Sequence, residues 1–158
     1  MRTVKRSWWG GALWSALVAT LLLSACAGGD DGTAPDLTVA RFVGDWSASA
    51  FVLTSVANPD VHPDLIALGA TFSLNVQPSG QYTAILLYAG DSLTELGRIE
   101  VSGSTVVLNR DFPNTSTSSS TFTFQGTNTL VLDGDSEFDF NLDGTAEPAR
   151  AHLVLAKK

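Results

Sequence analysis

Ala70-Thr71-Phe72-Ser73-Leu74-Asn75-Val76-Gln77-Pro78-Ser79-Gly80 decides the fold class of this 158-residue chain. Ala70, Phe72, Leu74 and Val76 alternate with Thr71, Ser73, Asn75 and Gln77, the period of two that marks a half-buried strand. Pro78-Ser79-Gly80 carries turn chemistry, and Gln81 to Tyr88 predicts a strand running back. Further strands are expected at Leu93–Val101, Thr105–Asn109, Thr121–Gln125, Thr127–Asp133, Glu137–Leu142 and Ala149–Ala156. Asn114–Ser120, rich in Ser and Thr, reads as a loop. Turn signals recur about every ten residues, the spacing of an antiparallel barrel or sandwich. The expected class is all-β: an up-and-down barrel of about eight strands, with a β-sandwich as the alternative.

Upstream, Asp36 is placed to cap a short helical turn through Leu37, Val39 and Phe42. Gly44 then opens a first strand. Between that strand and Ala70 lies Asn58-Pro59-Asp60-Val61-His62-Pro63-Asp64-Leu65-Ile66-Ala67-Leu68-Gly69. Pro63 suits a first helical position and Gly69 the position just past a helix end. A short helical plug is therefore expected, with Leu65, Ile66 and Leu68 as its apolar face. Such a plug either seals a filled core or lids a cavity.

Phe42-Val43-Gly44-Asp45-Trp46, with the short turn before it and the strand after it, resembles the Gly-x-Trp opening of lipocalins and related small barrels. The segment Phe138 to Ala149, followed by a last strand, is similar to bacterial lipocalin-like lipoproteins. The resemblance runs from about Leu37 to the end. It implies an eight-stranded barrel with room for one small apolar ligand. It also implies that Gly44 and Trp46 mark a closed end, where a basic side chain of the last strand packs on the tryptophan. Lys157 stands at that position, where the family usually has arginine. A helical element between the first two strands is closer to the fatty-acid-binding barrels. Tyr82, Tyr88 and Arg98 are the candidate polar contacts for a ligand, since apolar pockets carry a few orienting polar groups.

The N-terminal segment gives an address. Arg2, Lys5 and Arg6 precede an apolar run from Gly10 to Leu23, the order of a secretory signal peptide. The run is short for a membrane span, which needs roughly 20 apolar residues. Leu23-Ser24-Ala25-Cys26 resembles the lipobox of bacterial lipoproteins, which implies cleavage before Cys26 and acylation of its thiol. The expected organisation is a signal peptide over 1–25, a polar tether over 26–36 and a barrel domain over 37–158. The expected location is the bacterial cell envelope. Ala27 after the cysteine, rather than aspartate, favours the outer over the inner membrane.

Residues 1–25 hold three of the nine basic residues and none of the sixteen acidic ones. That leaves six against sixteen, a formal charge of −10 for the remainder. Such a chain is a poor partner for nucleic acid. Cys26 is the single cysteine, so its acylation leaves neither a disulfide nor a thiolate site. Asp139-Phe140-Asn141-Leu142-Asp143-Gly144 matches the first half of a calcium loop. Asp139, Asn141 and Asp143, with Glu147, are candidate calcium ligands. Arg150 stands where the bidentate glutamate belongs, and a solvated strand face with an Asp-Gly turn explains the same residues. His62, between Asp60 and Asp64, reads as a solvated loop histidine, and no Gly-x-Ser-x-Gly nucleophile motif is present. The expectation is a protein without enzymatic activity. It is either a membrane-anchored carrier of a small apolar molecule or a filled-barrel module that meets another envelope protein.

Overall fold

The structure, a computed structural model, describes residues 37–158. The expected signal peptide, Cys26 and the expected tether lie outside the described residues. A six-residue helix, α1 (Leu37–Phe42), leads into eight strands. They are β1 (Gly44–Ser55), β2 (Thr71–Val76), β3 (Gln81–Tyr88), β4 (Asp91–Ser102), β5 (Thr105–Phe112), β6 (Ser116–Gln125), β7 (Thr129–Phe138) and β8 (Glu147–Lys157). Each strand pairs antiparallel with the next, and β8 returns to β1. The result is a closed up-and-down barrel without free sheet edges.

Side chains alternate inward and outward along every strand. In β1 that alternation changes phase. Ala48 pairs with Leu155 and Ala50 with Val154, so Ser49 is bulged out. Trp46 and Ala48 face inward before the bulge, Phe51 and Leu53 after it. A bulge adds local bend and twist. Here it lets one strand serve both β2 and β8.

The closed end holds the densest core. Phe42, Trp46, Val76, Val106, Leu130 and Leu155 are all almost fully buried. Phe42 sets its ring edge-on against Phe122 and Phe124, at 5.0 and 5.1 Å between centroids. The Trp46 indole N–H donates to the Phe42 carbonyl at 2.6 Å. A helix of six residues is too short to persist alone, and these contacts hold α1 as a cap on the barrel floor. Lys157, directly opposite Trp46 in the β1–β8 pairing, places its Nζ 5.2 Å from the indole centroid. Gly44 is required beneath it. Its φ is +127°, and a Cβ there would stand 2.9 Å from Lys157 Cε.

Three expectations need correction. The Asn58–Gly69 segment is not helical: it runs as turns with one β-bridge, Val52 to Asp64. β1 pairs with β2 only over Gly44–Ser47, which leaves the rest of that β1 edge open. The segment fills it. Ser55 N–H donates to Val61 O, Leu53 N–H to Pro63 O and Leu65 N–H to Phe51 O. Buried backbone groups must find partners, and a residue before proline avoids the helical region. The segment is therefore an extended strap. Second, Ser116–Ser120 belongs to β6, paired with β5 from Arg110↔Ser116 onward. Third, no separate strand covers Glu137–Leu142. β7 runs unbroken through Asp133-Gly134-Asp135 to Phe138 and a loop follows.

Candidate functional site

The middle of the barrel encloses a cavity of about 390 Å³, within the usual range for small-molecule pockets. Phe51, Phe72, Leu74, Ala84, Leu132 and Leu153 form its apolar wall. The two ends of the barrel differ in what fills them. At the closed end Phe42, Phe122, Phe124 and Trp46 occupy the interior. Towards the other end the inward positions of β6 are Ser118 and Ser120, which leave space that larger side chains would take. Tyr82, Leu93, Glu95 and Ser118 also line an outer cavity of about 750 Å³, together with Ser116 and Arg110. The inner space thus leads outward past a polar wall.

That wall is built from four strands. Tyr82 on β3 lies opposite Gly97 on β4, and Gly97 opposite Arg110 on β5. Leu96 pairs with Phe112 and Gly97 with Arg110, so Asp111 is bulged out of β5. A Cβ at Gly97 would meet Asn109 O at 2.2 Å and Tyr82 Cε1 at 2.9 Å, so glycine is what lets the phenol ring pack against β4. Glu95 and Arg110 form an ion pair at 2.7 Å. Arg110 Nε–H also donates to Asn114 O at 3.0 Å. The Tyr82 hydroxyl is fully buried and has no hydrogen-bond partner among the described residues. Burial, reinforced by the negative charge of Glu95, pushes its pKa up to about 12. The hydroxyl therefore stays protonated at any ordinary pH.

Of the residues expected to form the plug, Leu65 is buried and Ile66 half-buried. Leu65 lines the cavity. The Asp64 carboxylate accepts from Phe51 N–H and Ile66 N–H, both at 3.0 Å, and so pins the strap to β1. Leu68 is 60% exposed and takes no part. It sits on a turn whose N–H reaches back to Asp64 O, which turns its side chain to water. Across the barrel, Phe138 and Tyr88 meet at 6.4 Å and Phe138 stacks edge-on to Phe140 at 5.1 Å. Leu65, Tyr88 and Phe138 together border the cavity.

Tyr82 and Tyr88 thus both line the cavity, whereas Arg98 does not. Ile99 is buried, so its neighbour Arg98 faces outward and donates to Ser79 O at 3.3 Å near the closed end. Asp139, Asn141 and Asp143 in the β7–β8 loop and Glu147 at the start of β8 lie together, and their oxygens accept backbone N–H groups. Asp143 N–H donates to Asp139 and Asn141, Gly144 N–H to Asp139, Thr145 N–H to Asp143 and Phe140 N–H to Glu147. The Thr145 N–H foremost, with the Asn141 amide, holds the Asp143 carboxyl below its usual range. Such Asx bonds are turn-forming in their own right. Among the described residues no three His, Cys, Asp or Glu side chains converge as a metal site. His62 lies exposed beside Pro59 O.

Glu95, Arg110, Ser116, Ser118 and Ser120 were not singled out from the sequence. The signal was alternation: Glu95 shares its parity with Leu93 and Ile99, and Arg110 shares its parity with Val106 and Leu108. Compared with known proteins, the chain matches no family model and no curated protein.

Proposed function

We propose that this protein is a membrane-anchored, lipocalin-like carrier that holds one small, largely apolar molecule inside its barrel, and that it performs no catalysis. The observation that carries this reading is the cavity of about 390 Å³ walled by Phe51, Phe72, Leu74 and Leu132. A barrel of eight strands is wide enough either to be filled by side chains or to hold one small ligand. A 150 Å³ apolar cavity accommodates benzene. On that scale this one takes about 15 non-hydrogen atoms. In this reading the lipid on Cys26 supplies the membrane attachment, at the outer membrane of a bacterial envelope, and calcium plays no part.

The test is direct. An environment-sensitive apolar dye should bind the domain, be displaced by unlabelled apolar compounds and raise the melting temperature, as mass action requires of a ligand specific to the folded state. Leu65→Asp, which puts a charge at the cavity border, should weaken binding. If saturating apolar probes neither bind nor stabilise, the carrier reading fails. The filled-barrel reading, a module docking onto another envelope protein, then stands in its place.

A further inference from the structure

From the polar wall of the cavity we infer that the ligand is an uncharged amphiphile, whose apolar body fills the barrel and whose acceptor oxygen, a carbonyl or ether, is met by the Tyr82 hydroxyl. This rests on the carrier reading and names the chemical class the same cavity selects.

Three observations converge. First, the Tyr82 side chain lines the cavity, is 4% exposed, and carries a hydroxyl without a hydrogen-bond partner among the described residues. A buried polar group left unpaired is costly, so this position favours a ligand that brings an acceptor to it. The raised pKa keeps the group a donor.

Second, the charge pair in the polar wall is already matched. Glu95 and Arg110 pair with each other at 2.7 Å, and Arg110 is held further by Asn114 O. A carboxylate ligand would have to draw Arg110 away and leave the half-buried Glu95 beside a second anion. An ammonium ligand would have to draw Glu95 away and leave Arg110 unpaired. Either change strands a charge in a half-buried site, which is strongly unfavourable. Third, the rim discourages anions at longer range. Asp91 opens β4, Asp111 lies next to Arg110, and Asp135 and Glu137 on β7 border the cavity itself. Arg150 offsets only Asp135 among them. The rim field also attracts cations, so cation binding is the sharper challenge to the inference.

The experiment uses four probes that share an eleven-carbon chain: 2-undecanone, undecanoate, undecylammonium and undecane. Each displaces an apolar dye from the chain beginning at residue 26 and carrying Cys26→Ser, so that neither acyl chain nor detergent competes. The ketone should bind at least ~10-fold more tightly than either ion. Tyr82→Phe should weaken the ketone by roughly 3- to 10-fold, the worth of one hydrogen bond, and leave undecane unchanged. Glu95→Gln keeps an acceptor for Arg110 but frees its charge. It should raise undecanoate affinity at least ~10-fold relative to the ketone. Undecanoate or undecylammonium binding as tightly as the ketone overturns the inference while the carrier reading survives. So does a Tyr82→Phe protein that binds the ketone unchanged. If none of the four displaces the dye, undecane included, the carrier reading falls and this one with it.

Discussion

Trp46→Ala is the sharpest test of how the closed end is built. Trp46 is completely buried. Its indole N–H holds the Phe42 carbonyl, its ring tilts against Phe124 at 6.3 Å, and the Lys157 ammonium lies over it. Truncating a buried aromatic costs about 3–5 kcal/mol, cavity included. The Phe42 carbonyl loses a bond worth about 1 kcal/mol, and the Lys157 contact adds ~0.5–1 kcal/mol. These contributions overlap, because one ring makes all of them, so the expected loss is about 4–5 kcal/mol. Domains are typically stable by only ~5–15 kcal/mol. For a chain of this size each kcal/mol moves the melting temperature by about 3–5 °C, which predicts a fall of ~12–25 °C. The assay is a thermal melt followed by circular dichroism. Trp46 is also the only tryptophan after residue 25, so native fluorescence of a chain starting at Cys26 reports this site alone. The wild-type emission should be that of a water-excluded indole. A fall below ~5 °C, or emission of an exposed indole, would refute the account of α1 and Lys157 as a floor assembled on Trp46.

Gly97→Ala should cost about 2–3 kcal/mol, because the new Cβ meets Asn109 O and Tyr82 Cε1; chemical denaturation measures it, and an unchanged midpoint would deny the close approach. Tyr82 has its pKa raised to about 12, so between pH 10 and 12 the unfolded phenol ionises while the folded one does not. Stability should fall across that window by up to roughly 2–3 kcal/mol, and Tyr82→Phe should remove that part of the slope. Millimolar calcium should leave the melting temperature of the domain unchanged, since the Asp139, Asn141, Asp143 and Glu147 oxygens already accept backbone N–H groups; a clear rise would reinstate the metal loop. Cys26→Ser expressed in a bacterium should leave the precursor uncleaved or release the domain from the detergent fraction, and an intact wild-type mass with a free thiol contradicts acylation.

Alternation carried most of the fold. It placed Phe72–Val76 and Gln81–Tyr88 on the correct faces because each strand has one apolar side to bury. It failed where tertiary pairing overrode local chemistry. Asp133-Gly134-Asp135 is a turn signal, yet β6 and β8 bind that stretch of β7 on both edges. Ser116–Ser120 has no apolar alternation to find, because its inward residues line a cavity rather than fill a core. Pro63 and Gly69 bracket a helix by local rules, but the open edge of β1 took the segment as a strap. The site was half legible. Tyr82 and Tyr88 share the inward parity of their strand. Arg98 sits at the wrong parity beside Ile99, and Glu95 with Arg110 sat at the right parity unnoticed, since charged residues are not expected to face a barrel interior.

Net charge conceals how the charge is arranged. The formal charge of residues 26–158 is −10, and most acids of the described residues gather at the mouth: Asp60 and Asp64 on the strap, Asp91 and Asp111 at strand ends, and Asp139, Asp143 and Glu147 around the β7–β8 connection. Four of the six basic residues after residue 25 lie towards the opposite end, while Arg110 and Arg150 stay near the mouth, each paired with an acid. Arg41 lies over the Phe124 ring at 4.0 Å, Lys157 lies over Trp46, Arg98 reaches Ser79 and Lys158 follows β8, against Asp45 and Glu100. The chain enters the barrel through α1 at this same closed end. Among the described residues the floor therefore carries four cations against two carboxylates, while the acidic mouth repels anions at longer range.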